Sequence, residues 1–219
     1  MRKSRSLISI ALVASMALSL AGCAGGGAFG PAALAKYAKG YGAELYTDYE
    51  DWQDDLNGGD MPKGLRDGIY VNVKGDDVKE AVKKVDMCSE FYDKTMKEAT
   101  VFIVGKDKSD HEYAAIFISA TYDSKDSALD AYEEFAEELE DEDSDYYDKH
   151  DFDDFEENGV QYSLLMLEDE YWEEYTYAGV YYKGNTVFVA FGYGENKKDV
   201  LGALDETLDA IGLVSPSEL

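Results

Sequence analysis

Histidine, cysteine and proline are scarce in this chain: two, two and three residues among 219. So few cysteines rule out an internal disulfide framework, and a metal-binding thiol would need a ligand cluster that only His111 and His150 could supply with imidazole. The prolines mark no linker, so no clean domain boundary is visible. Basic residues are also few. Lys and Arg number 20 against 47 Asp and Glu, a net charge of −27. Such a surface is repelled by phosphate backbones, which excludes nucleic-acid binding. Enzyme signatures are missing as well. There is no H-E-x-x-H, no G-x-S-x-G, no P-loop and no dinucleotide fingerprint. A carboxylate-dependent hydrolase stays open as a distant alternative, since paired acids cannot be picked out among so many. Acidity does not imply disorder here, because 45% of residues are hydrophobic and 13% aromatic.

The one long apolar run is at the start. Leu7–Ala21 follows Arg2, Lys3 and Arg5. It is too short for a comfortable membrane span and has the layout of a secretory signal. Its end, Leu20-Ala21-Gly22-Cys23, resembles the lipobox of bacterial lipoproteins. That resemblance implies a signal peptide over residues 1–22, a diacylglyceryl group on the Cys23 thiol with palmitate-type acylation, and a mature chain starting at Cys23. Losing Arg2, Lys3 and Arg5 from a chain of net charge −27 leaves −30. A chain so charged is expected to be held at the outer face of the cell membrane by its acyl chains, not by its surface. Residues 23–30 read as the lipidated cysteine and a Gly/Ala-rich tether reaching roughly 15 Å. Residues 31–219 read as one extracytoplasmic domain.

Within that domain, Pro31–Lys39 starts as a helix, with Gly40 and Gly42 to end it. Tyr46–Leu56 reads as a short acidic, aromatic helix. Ile69–Val73 alternates as a strand. Val78, Ala81, Val82, Val85, Cys88 and Tyr92 fall at helical spacing and predict a helix over Asp77–Tyr92, with Cys88 a buried hydrophobe on its apolar face. Thr100–Gly105 and His111–Tyr122 form a hairpin. A helix follows, capped by Ser124 and striped with Ala128, Leu129, Tyr132, Phe135, Ala136 and Leu139. Gly159–Leu167 is a strand. Tyr175–Tyr182 and Thr186–Tyr193 form a second hairpin around Lys183-Gly184-Asn185. A last helix is opened by Asn196 and closed at Gly212. The expected fold is α+β: an antiparallel sheet built from hairpins, with amphipathic helices packed on one face.

Asp123-Ser124, Ala128, Ala131-Tyr132, Gly184-Asn185-Thr186 and the helix Val200–Gly212 together give a layout that resembles small, mostly uncharacterised lipoproteins of Gram-positive bacteria. The resemblance is structural and implies no active site.

Two stretches are candidates for function. Glu133–Glu157 holds fifteen acids. Asp141, Asp143 and Asp145 have the first spacings of an EF-hand, but Tyr146 and Phe152 stand where Gly and Glu are required. Weak calcium binding there, within an otherwise solvated acidic loop that contains His150, is the alternative function. The other stretch is aromatic. Among eighteen tyrosines, Tyr171, Tyr175, Tyr177, Tyr181 and Tyr182 crowd one hairpin with Trp172. Tyr175, Tyr177 and Tyr181 share a sheet face at period two, with Gly179 as a gap. They are the expected contact for an envelope protein, a peptide or a cationic ligand, which makes the domain a binding module.

Overall fold

The computed structural model describes residues 29–57, 65–106, 113–140 and 147–219. The signal segment, Cys23, His111 and the candidate metal residues Asp141, Asp143 and Asp145 lie outside the described residues. Helix α1 spans Pro31–Tyr41, β1 Glu44–Leu45 and α2 Tyr49–Asn57. Strands β2 (Ile69–Lys74), β3 (Met96–Lys106) and β4 (Tyr113–Tyr122) lead into α3 (Lys125–Glu140). Then come β5 (Lys149–Glu157), β6 (Val160–Asp169), β7 (Glu174–Lys183), β8 (Thr186–Gly194) and α4 (Lys197–Ile211). The strands make one open sheet in the order β1-β2-β3-β4-β8-β7-β6-β5. Among the described residues only β1 and β2 pair in parallel; every other pairing is antiparallel.

The fold class is α+β, but the helices cover both faces of the sheet, which corrects the expectation of one covered face. Successive strand residues point to opposite sides. On one face, Val101, Ile103, Ile116, Ile118, Val180 and Val189 pack with α2, α3 and the segment after β2. On the other, Phe102, Phe117, Tyr177, Tyr181, Phe188 and Ala190 pack with α1 and α4. The run Thr100–Gly105 is apolar at nearly every position, as a strand buried on both sides must be. Gly192 permits the close seat of α4: a Cβ there would lie 2.8 Å from Leu204 Cδ1.

The caps form as their residues dictate. Ser124 Oγ accepts from the Ser127 N–H at 3.0 Å, and Asn196 Oδ1 from the Asp199 N–H at 3.1 Å. Gly212 takes the left-handed conformation at φ 76°. The expected helix Asp77–Tyr92 does not form. A π-helical stretch, Lys79–Lys83, and a 3-10 turn, Asp86–Phe91, flank Val85, which is extended at φ −107° and ψ 117°. Helix α2 supplies the reason. Trp52 Nε1, Gln53 Nε2 and Asn57 Nδ2 donate to the carbonyls of Ala81, Glu80 and Lys84 at 2.8–2.9 Å. Those acceptors bond outward to α2, and the helical ladder is interrupted. The apolar face is buried all the same, Cys88 with it, and burial pushes the Cys88 thiol up to about 12.

The chain enters the core earlier than its Gly/Ala-rich composition indicates. Phe29 is buried. Ser119 Oγ donates to its carbonyl at 2.7 Å, and Thr100 Oγ1 to that of Pro31 at 2.8 Å. Phe29 and Gly30, expected to belong to the tether, are thus part of the packed domain; residues 23–28 lie outside the described residues.

Candidate functional site: the acidic, aromatic end of the second half

Tyr177 and Tyr181 are fully buried under α4 and the C-terminal turn, so the expected tyrosine contact face is core. Gly179 is indeed a gap, but the Tyr181 ring fills it, and the Tyr181 hydroxyl donates to the Val214 carbonyl at 2.7 Å. Tyr175, half-buried, packs against the same cluster. A partner surface built on these three side chains is therefore overturned. Buried phenols are tolerated because their hydroxyls find acceptors.

Tyr177 donates instead to Glu168, at 2.6 Å. Glu168 is 1% exposed. It also accepts from Lys149 at 2.9 Å and from Lys197 at the start of α4. Burial would raise its carboxyl, but the bonds from Lys197, Tyr177 and Lys149 outweigh that and hold it at about 2. Lys149 also reaches Glu170, at 3.1 Å, and the bonds from Glu168 and Glu170 push its ammonium up. This cluster ties the first residue of β5, the end of β6 and the start of α4 together. The two lysines are taken up in that tie, and it was not visible in the sequence, because its members are brought together only by strand register: Lys149 faces Glu168, and Glu168 faces Tyr175.

The exposed aromatics lie just beyond. Tyr171 is 80% and Trp172 69% exposed at the β6–β7 turn, with rings edge-to-face at 4.9 Å. Asp169 Oδ1 accepts from the backbone N–H groups of both, at 2.9 and 2.8 Å, and shapes the turn. Next to this tip a shallow depression is lined by Tyr175, Thr176, Phe191, Tyr193, Glu174 and Glu195. Aromatic faces among carboxylates, with Lys149 and Lys197 already paired, suit a cation.

The acidic stretch expected as a solvated loop lies in regular structure on both sides of residues 141–146, which are outside the described residues. Residues 133–140 belong to α3 and 149–157 to β5, and His150 sits in that strand. The Nε2 of His150 is buried and has no hydrogen-bond partner among the described residues. Phe152 and Phe155 lie on opposite sides of the sheet, with Leu165 and Tyr162 respectively. A groove between α3 and β5 has Leu129, Ala136 and Phe152 as its apolar lining and Glu133, Glu137 and Glu140 along one wall. Asp154 lines it too and accepts from the Tyr132 hydroxyl at 3.1 Å. Burial raises that phenol to about 12. The turn Asn158-Gly159, both at positive φ (54° and 74°), closes the β5–β6 hairpin. This Asn-Gly pair is the signal by which β5 was findable. Among the described residues no three His, Cys, Asp or Glu converge to hold a metal, and no helix is long and apolar enough to cross a membrane.

No protein-family model matches the chain, and no curated protein does. Among solved structures, the extracellular domain of PknH from Mycobacterium tuberculosis is similar over 77% of this chain and 92% of that one, at 11% identity and a TM-score of 0.38.

Proposed function

We propose that this is a lipoprotein held at the outer face of the cell membrane through Cys23, and that its domain is a binding module of the cell envelope for a cationic partner. The anchor rests on the lipobox resemblance and on a surface too acidic to adhere to anionic lipid unaided. The observation that carries the binding reading is the exposed Tyr171–Trp172 pair, flanked along the chain by Glu170, Glu173 and Glu174. Two large rings left in water are costly for a monomer and useful where a partner covers them. Their carboxylate surroundings select for positive charge.

Trp172 makes the test simple, because the chain's other tryptophan, Trp52, is buried. Titration with a lysine-rich peptide should change the fluorescence of the exposed indole, less so as salt is raised. In Trp172→Phe the response should vanish. A wild-type signal unmoved by the peptide at low salt contradicts the reading. The anchor is tested by Cys23→Ser, which should leave the membrane fraction or accumulate unprocessed; membrane association at mature size would refute lipidation.

A further inference from the structure

β5 is an edge strand of nine residues with β6 on one side and, among the described residues, no strand on the other. Its two-residue Asn158-Gly159 turn makes Glu157 and Val160 the first pair to exchange hydrogen bonds. Bonded pairs alternate from there. Residues 157, 155, 153, 151 and 149 therefore bond to β6, while His150, Phe152, Asp154 and Glu156 turn their N–H and C=O groups away from the sheet. These four residues have their side chains on the α3 side. The outward backbone row thus runs beside the groove lined by Phe152, Leu129 and Ala136 and walled by Glu133, Glu137 and Glu140.

We propose that β5 is a docking edge for an extended basic peptide segment of a partner protein, which adds to the sheet as a ninth strand. The inference rests on the cationic-partner reading and specifies how that partner is held. Main-chain bonds to residues 150, 152, 154 and 156 supply the pairing. Alternate side chains of the incoming strand fall over the α3 groove, where lysine stems lie on Phe152 and Ala136 and their ammonium groups meet Glu133, Glu137 and Asp154. Residues between them face Asp151 and Asp153 on the other side. Charge decides the occupant. A second copy of this chain would bring five carboxylates of its own β5 against these, and anionic lipid is repelled in the same way.

The test uses two peptides matching the nine residues of β5, alternating Lys and Val, one of them N-methylated at every amide. Both carry the same charge, but the methylated peptide has no N–H to donate along either edge. Strand addition predicts binding at least about tenfold weaker for the methylated peptide, the loss of a few main-chain hydrogen bonds. Glu156→Pro removes an outward N–H while leaving the bonds to β6, and should weaken the unmethylated peptide while the thermal midpoint stays near wild type. Equal affinity for both peptides, with the Trp172 signal still responding, overturns strand pairing and leaves the cationic-partner reading intact. Absence of any response to either peptide overturns both. Edge-to-edge dimers of the protein alone, seen by sedimentation, would overturn the choice of occupant.

Discussion

The two edges of the sheet are finished in different ways. At one, β1 is two residues long, and the chain turns at once into α2, which binds the segment after β2 through Trp52, Gln53 and Asn57. A buried tryptophan and three side-chain bonds to main-chain carbonyls lock that side. At the other, β5 is long, its outer backbone is uncovered among the described residues, and five of its nine residues are acids. A short strand wrapped by its own chain needs no charge to prevent self-pairing. A long open one does, and carboxylates there refuse another copy while admitting a cation. Helix α2 at the closed edge is acidic too, with Glu50, Asp51, Asp54 and Asp55, so the two edges differ in what covers their backbone; on the proposed reading, the edge without a wrapper is the one that takes a partner.

The sharpest way to break the comparison is at the closed edge. Trp52→Ala removes a fully buried ring and its bond to Ala81 and should cost about 3–5 kcal/mol, read as a lower midpoint in chemical denaturation. A loss under about 1 kcal/mol would mean that α2 does not lock its side. Next is Glu168→Gln, where the tie between β5 and α4 loses its charge. The expected cost at neutral pH is about 1–3 kcal/mol. The sign with pH is set by a carboxyl lowered on folding. Its stabilisation is complete above the unfolded value of about 4.3 and is lost as pH falls toward the folded value of about 2. Between those values wild type and variant should converge; a constant gap across that window would place the effect outside the Glu168 ionisation. Asp153→Asn, at an exposed position of the open edge, should shift stability by no more than about 0.5 kcal/mol. Cys88 should react with a thiol reagent slowly in the native protein and fast in denaturant, because it is buried beneath the closed side. Fast native labelling would show that layer opening freely.

The central hairpins and the helices α3 and α4 were legible because each carries its own signal: β-branched runs, Ser124 and Asn196 as caps, Gly212 as a stop. Two features were not. The residues 78, 81, 82, 85 and 88 have helical spacing and are buried as a helix would bury them, yet α2 takes the carbonyls that a ladder needs. That competition is between segments about thirty residues apart, beyond the reach of periodicity. Period two puts Tyr175, Tyr177 and Tyr181 on one face of β7, but sharing a face does not say what covers it, and α4 does. β5 was hidden by its own composition. Phe152 and Phe155 are three apart, so they point to opposite sides and break the alternation that marks a half-buried strand. Its acids then look like a solvated loop. The Glu168 cluster exists only through register and left no local trace.

On the proposed reading β5 is an open edge made for a basic strand. Amide hydrogen exchange, resolved by residue, reads it directly. In the free protein Asp151, Asp153 and Phe155 should be protected by β6, while His150, Phe152, Asp154 and Glu156 exchange quickly. Adding the unmethylated Lys/Val peptide should slow those four and leave the others as they were. Protection of the outward four before any peptide is added, or no change in them at saturating peptide, would contradict the account.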